Sequence, residues 1–161
     1  MELIGFSHVA VGVRDMDSAL GFYRDALGFA VRRDLIENWP ARGVVPEMSR
    51  RAVYLEYVDY RAEPSSTFLV LDQQLSAAAV GGAHKLGELG VNHFGMWVSD
   101  LDALVARARA HGFETVAPAR VLETAASMGE APGAFSRGVA YYDPDGNVVQ
   151  IDQRVPGPAV G

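Results

Sequence analysis

The sequence predicts an α+β fold of two βαβββ modules, whose curved mixed sheets enclose a central cavity and carry their helices on the convex side. Two observations lead there: an internal repeat, and a switch of hydrophobic period within each copy. HVAVGVRDMDSAL begins at His8 and HFGMWVSDLDALV at His93. Each opens on His and runs through an apolar stretch to D-x-D, Asp15 and Asp17 in the first copy and Asp100 and Asp102 in the second, at a constant offset of 85. A second echo, LVLDQQ from Leu69 and VQIDQR from Val149, has an offset of 80.

Each element follows from local pattern. Over 7–13, Ser7, Val9, Val11 and Val13 alternate with His8, Ala10 and Gly12, giving a strand with one packed face and one small, open face. Asp15 or Asp17 then caps a helix to about Leu27, with Leu20, Tyr23 and Leu27 at helical spacing and Gly28 as the stop. Strands at roughly 29–37, 50–58 and 66–74 complete the first copy. In the second, Asp100 or Asp102 caps, Leu101, Leu104, Val105 and Ala108 form the stripe, and His111-Gly112 ends the helix. Strands at 113–117, 137–143 and 147–154 follow.

The modules thus span 3–74 and 91–154 of one domain covering 1–161, joined by the Ala- and Gly-rich connector 75–90. That connector is long enough for the modules to pair within a chain or to exchange between two. The segments Asn38 to Ser49 and Pro118 to Ser136 are long for loops and read as covers for the cavity mouth.

Composition sets the outer bounds. A chain of 161 residues, 49% apolar and 21% charged, suits one well-buried core. A net charge of -6 with no basic patch argues against nucleic-acid binding. The absence of cysteine removes disulfides and thiolate chemistry. Nothing approaches the ~20 apolar residues of a membrane span, and no basic region leads a long apolar run at the amino terminus, so a cytoplasmic location is the default expectation.

The repeated halves, the two strand-opening histidines, GFYRDALGFAV at 21–31 and YYDPDGNVVQ at 141–150 together resemble the vicinal oxygen chelate superfamily. That group includes glyoxalase I, extradiol dioxygenases, methylmalonyl-CoA epimerase, fosfomycin-resistance enzymes and bleomycin-binding proteins. The resemblance runs from about Leu3 to Arg154. It implies up to four metal ligands, from the first and last strand of each module, which map onto His8, Val70, His93 and Gln150. Val70 cannot coordinate, leaving two imidazoles and a carboxamide for a divalent ion such as Fe, Mn, Ni, Zn or Co. With no carboxylate in that set, the ion's full charge is left for solvent or an anionic ligand to balance.

Around this set stand further candidates. Asp72 and Asp152 each lie two residues beyond a ligand position on the same strand face, ~6.6 Å along, either orienting substrate or standing at the cavity rim. Trp97, Tyr54 and Tyr141 would grip a planar substrate or else fill the core. Arg50, Arg51 and Arg137 start strands near the cavity and would meet an anionic group or stay on the surface. His84 and His111 read as solvent-facing.

The leading expectation is a metal-dependent enzyme acting on a small molecule with two adjacent oxygens, of dioxygenase, lyase or isomerase type but not glyoxalase I proper. The alternative is a metal-free, dimeric protein that sequesters a bulky ligand, as bleomycin-resistance proteins do. A homodimer binding a small molecule, with neither nucleic acid nor membrane as partner, is the expected assembly.

Overall fold

The computed structural model describes residues 5–44, 46–57, 67–85 and 87–157. Positions 3, 58 and 66, at the ends of expected elements, lie outside the described residues. The chain divides into two compact units, Met1–Gly81 and Gly82–Gly161, with the division inside the expected connector.

The first unit runs β1 (His8–Val13), α1 (Met16–Leu20) continued by a π-helical segment Gly21–Ala26, β2 (Ala30–Trp39), β3 (Met48–Glu56) and β4 (Phe68–Gln74). Its sheet order is β1-β4-β3-β2, with β1 parallel to β4 and the other pairs antiparallel. The second unit runs β5 (His93–Trp97), α2 (Leu101–Ala110), β6 (Arg120–Glu123), α3 (Ala125–Met128), β7 (Phe135–Tyr142) and β8 (Val148–Val155). Its order, β5-β8-β7-β6, and its senses repeat the first.

The two acidic residues of each D-x-D have separate duties. Asp15 and Asp100 are the N-caps: their Oδ1 atoms accept from the Ser18 and Ala103 backbone N–H at 2.7 and 2.9 Å. Asp17 and Asp102 point instead to β3 and β7, where Arg51 donates to Asp17 at 3.2 Å and Arg137 to Asp102 at 2.6 and 2.9 Å. The repeated Gln is a fastener. Gln73 donates to the Arg14 carbonyl at 3.0 Å and Gln153 to the Ser99 carbonyl at 2.8 Å, and Gln153 also accepts from the Leu101 N–H at 3.1 Å. The last strand is thereby tied to the segment that launches the helix.

One face of each sheet forms the core. In the first unit Met16, Ala19 and Leu20 are buried, as are Val11, Val13, Val53, Leu55, Leu69 and Leu71. The wider π turn, with the Leu27 N–H bonded to the Phe22 carbonyl at 2.9 Å, leaves the neighbours Phe22 and Tyr23 both fully buried. In the second, Leu101, Leu104 and Ala108 of α2 are buried together with Val139, Tyr141, Val149 and Ile151.

Three expected elements differ. No strand forms at 113–117; its one backbone bond to the sheet runs from the Val116 N–H to the Ala140 carbonyl at 2.7 Å, and the edge strand begins only at Arg120. Pro118 explains the delay, since it has no N–H to give a ladder. The segment 118–136 is accordingly not a bare loop. It holds β6 and α3 and is closed by Thr124 N–H to the Ala134 carbonyl at 2.9 Å and by Gly133 N–H to Glu123 at 3.2 Å. The first long loop also shortens, because β2 continues to Trp39 and β3 begins at Met48.

Candidate functional site

Side chains paired across a ladder share a face, so the register sorts every candidate. In the second unit His93, Gly95 and Trp97 stand opposite Val148, Gln150 and Asp152. Gln150 and Asp152 stand in turn opposite Ala140 and Gly138, and Gly138 opposite Arg120. These positions form the face away from α2. His93 is exposed, its Nδ1 sharing a hydrogen bond with Asn92 Oδ1 at 2.6 Å. Gln150 Nε2 donates to Asp152 Oδ2 at 2.7 Å. Asp152 is only 6% exposed. Burial pushes its carboxyl above the ordinary range, while the Gln150 hydrogen bond and His93 pull it back.

Trp97 is partly exposed and carries the Arg154 guanidinium 4.0 Å above its ring. Arg154 donates to Glu130 at 2.7 Å, and Glu130 accepts from the Thr124 hydroxyl at 2.6 Å. This chain of contacts holds the segment after β6 against the open face.

Two candidates belong to the other face. Arg137 stands opposite Gln153 and pairs with Asp102 of α2, and Tyr141 stands opposite Val149 and is fully buried in the core. Each is one residue out of step with the open positions Ser136, Gly138 and Ala140. In a strand, one residue reverses the face. Of the two roles open to each, Tyr141 thus fills the core and Arg137 stays on the helix side, paired with Asp102.

The first unit's open face bears His8, Ala10 and Gly12 opposite Phe68, Val70 and Asp72. His8 stacks on Phe68 with ring centroids 5.1 Å apart and bonds Ser7 Oγ through Nδ1 at 2.9 Å. Val70 is buried between Ala10 and Tyr54. Beside it lies a connected polar cluster. Arg50 donates to Glu37 at 2.9 and 3.1 Å and to Asp72, and the Tyr54 hydroxyl donates to Glu37 at 2.6 Å. Trp39 backs the Arg50 guanidinium at 4.6 Å. The Tyr54 hydrogen bond, then that of Arg50, holds the Glu37 carboxyl below its ordinary value despite burial. Arg51 faces the helix instead, bonded to Asp34 at 2.7 and 3.0 Å.

The registers align the units position by position. Val70 corresponds to Gln150 and Asp72 to Asp152, while Arg50, Tyr54 and Glu37 correspond to Ser136, Ala140 and Leu122. Three large members of the polar cluster thus become a hydroxyl, a methyl and an aliphatic chain. The space they leave is a cleft of about 330 Å³, floored by Ser136, Gly138, Ala140, Gln150 and Asp152 and walled by Leu122, Thr124 and Met128. Ser136, Gly138 and Leu122 do not stand out in the sequence; only the strand alignment reveals them, because small and aliphatic residues carry no chemical signal of their own.

Repeated βαβββ units with these strand orders coincide with a match of residues 5–151 to the Glyoxalase/Bleomycin resistance protein/Dioxygenase superfamily. The chain belongs to that superfamily. Solved structures agree with the superfamily fold across nearly the whole chain. A glyoxalase family protein from Bacillus cereus is 16% identical, with a TM-score of 0.74, covering 96% of this chain and 97% of its own. TnmS3, an antibiotic binding protein from Streptomyces sp. CB03234, is 21% identical, with a TM-score of 0.58 and coverage of 96% and 99%. The fosfomycin resistance protein FosX from Mesorhizobium loti is 17% identical, with a TM-score of 0.52 and coverage of 98% and 96%. No curated sequence matches the chain. Among the described residues no helix is long and apolar enough to cross a membrane.

None of the four positions to which the superfamily's metal ligands map, His8, Val70, His93 and Gln150, carries a carboxylate. Val70 offers no donor, and Gln150, whose amide nitrogen is held by Asp152, offers a neutral carboxamide oxygen in place of a carboxylate. Among the described residues no three His, Asp, Glu or Cys side chains are grouped to hold an ion.

Proposed function

We propose that this superfamily member is a small-molecule-binding protein, taking its ligand into the second unit's open face without a divalent ion. The observation that carries this reading is the emptying of that face: where the first unit fills its sheet with Arg50, Tyr54 and Glu37, the second has Ser136, Ala140 and Leu122 beside a cleft. A cleft of about 330 Å³ is within the range for small ligands, and its mix of apolar walls with a few polar groups suits recognition. Binding is a use to which the superfamily puts this fold, as the antibiotic-binding TnmS3 illustrates. Trp97 at the far edge would add an aromatic surface for a ring-containing ligand.

The metal-dependent reading, of dioxygenase, lyase or isomerase type, makes the opposing prediction. Metal analysis of untagged protein purified without chelator is expected to find well under one equivalent of any divalent ion, and calorimetric titration of Mn, Ni or Zn to show only weak uptake. Gln150→Glu, which restores a carboxylate, should strengthen uptake at least tenfold. A stoichiometric ion in the natural protein, lost in both His8→Ala and His93→Ala, would overturn the metal-free reading.

A further inference from the structure

We propose that the cleft of the second unit selects a ligand bearing a cationic nitrogen, an ammonium or amidinium group that docks on Asp152. The proposal deepens the ligand-binding reading and rests on it. Asp152 is more than nine-tenths buried and lines the cleft, yet its carboxylate receives one hydrogen bond among the described residues, from Gln150 to Oδ2. Its Oδ1 is not among the fully enclosed unpartnered atoms, so it is open to a ligand in the cleft, and a carboxylate in so confined a place binds a charged donor best.

The first unit shows which donor the position takes. Its counterpart, Asp72, is paired by the guanidinium of Arg50, two residues along the neighbouring strand from the position opposite it. At the corresponding site the second unit has Ser136, so the cation is missing while the acid is retained. The niche is also kept open: a Cβ at Gly138 would overlap Asp152 Oδ1, so glycine alone leaves room for the carboxylate to sit there. The other charged groups of this face do not fill the vacancy. Arg154 is committed to Glu130 and Trp97, and Arg120, which lines the cleft from the edge strand opposite Gly138, makes no ion pair with Asp152. Asp152 faces Trp97 across the ladder, and His93 stands four residues back along that strand, opposite Val148. A cationic nitrogen would therefore replace an internal pairing that the repeat has lost, and its charge would offset the upward push that burial gives the Asp152 carboxyl.

Three one-ring probes of matched size test this: benzylammonium, benzyl alcohol and benzoate, titrated into ¹⁵N-labelled full-length protein. Benzylammonium is expected to shift the Gly138, Ala140 and Gln150 amides and to bind about ten- to a hundredfold more tightly than benzyl alcohol, with benzoate weakest. Asp152→Asn should abolish that preference, and so should Ser136→Arg, which returns a guanidinium to the position of Arg50. Glu114→Gln, at an exposed helix-side site, should leave it intact. Equal binding of all three probes, or a preference for benzylammonium that survives both substitutions, overturns the cation proposal while sparing the ligand-binding reading. Failure of every probe to move those amides overturns both. Should Asp152→Asn fail to fold, the probe series on the natural protein and Ser136→Arg decide the matter.

Discussion

Asp152 sits where ionisation works against the fold. Its folded carboxyl titrates above the ordinary 3.8, so in the window above that value the folded state holds a proton that the unfolded chain has released. Stability therefore falls as pH rises through the window and stays lower beyond it. Asp152→Asn, which still accepts from Gln150, is expected to melt at a higher temperature than the natural protein at pH 7. That gain should vanish near pH 3.5, and thermal melts across pH 3.5–7.5 would show it; an unchanged difference across the range would refute the assigned burial. At this scale the sequence misled through register. Tyr54 and Tyr141 look equivalent by eye, but the pairing matches Tyr54 to Ala140 and Leu55 to Tyr141. The offset between these strands is 86, which neither visible repeat displays, and a single-residue slip moves an aromatic from ligand face to core.

Among elements, the repeated Gln outranks the more conspicuous ion pair. Gln153 satisfies both a helix-start N–H and a carbonyl of the loop before it, groups that nothing else in the helix would bond. Gln153→Leu is expected to cost about 1–3 kcal/mol. Arg137→Met breaks a bidentate contact to Asp102, but both side chains remain in reach of water, at 34% and 74% exposure, and the loss should stay below ~1 kcal/mol. Urea denaturation of the two variants checks the order, and a larger loss for Arg137→Met would invert it. Strand existence and helix starts were legible because D-x-D, D-Q and the alternating valines are local signals. The Asp143 turn was legible for the same reason: its Oδ1 takes the N–H groups of Asp145 and Asn147, and Gly146 supplies a φ of +90°. The edge strand β6 was not, since Arg120 to Glu123 is exposed at every position and shows no buried-face alternation.

For the whole chain, the fold class was readable because the same unit is written twice, and duplication doubles every weak cue. The cleft of the second copy was not readable, because it depends on absent side chains: a serine, an alanine and a leucine acquire meaning only beside Arg50, Tyr54 and Glu37. The connector provides a direct check on the two-unit division. Lys85 is exposed, outside any helix or strand, and brief digestion with trypsin is expected to cut after it first, giving two fragments of about half the chain. Early cleavage at Arg50 or Arg137, inside the sheets, would contradict the compactness of the units.

The parallel pairing that closes each sheet also sets an order of assembly. His8 meets Phe68 sixty positions later and His93 meets Val148 fifty-five positions later, whereas β3 with β4 and β7 with β8 join near neighbours. Closing the longer span demands more chain entropy before any contact rewards it, so the antiparallel meanders nucleate and the opening strands dock late. In the second unit the meander is β6-β7-β8, which carries Ser136, Gly138, Gln150 and Asp152. The recess is thus moulded in the folding nucleus, and the strand bearing His93 and Trp97 arrives afterwards as its rim. Substitutions in that rim would speed unfolding and leave the folding rate almost untouched, whereas substitutions in the floor would slow folding itself.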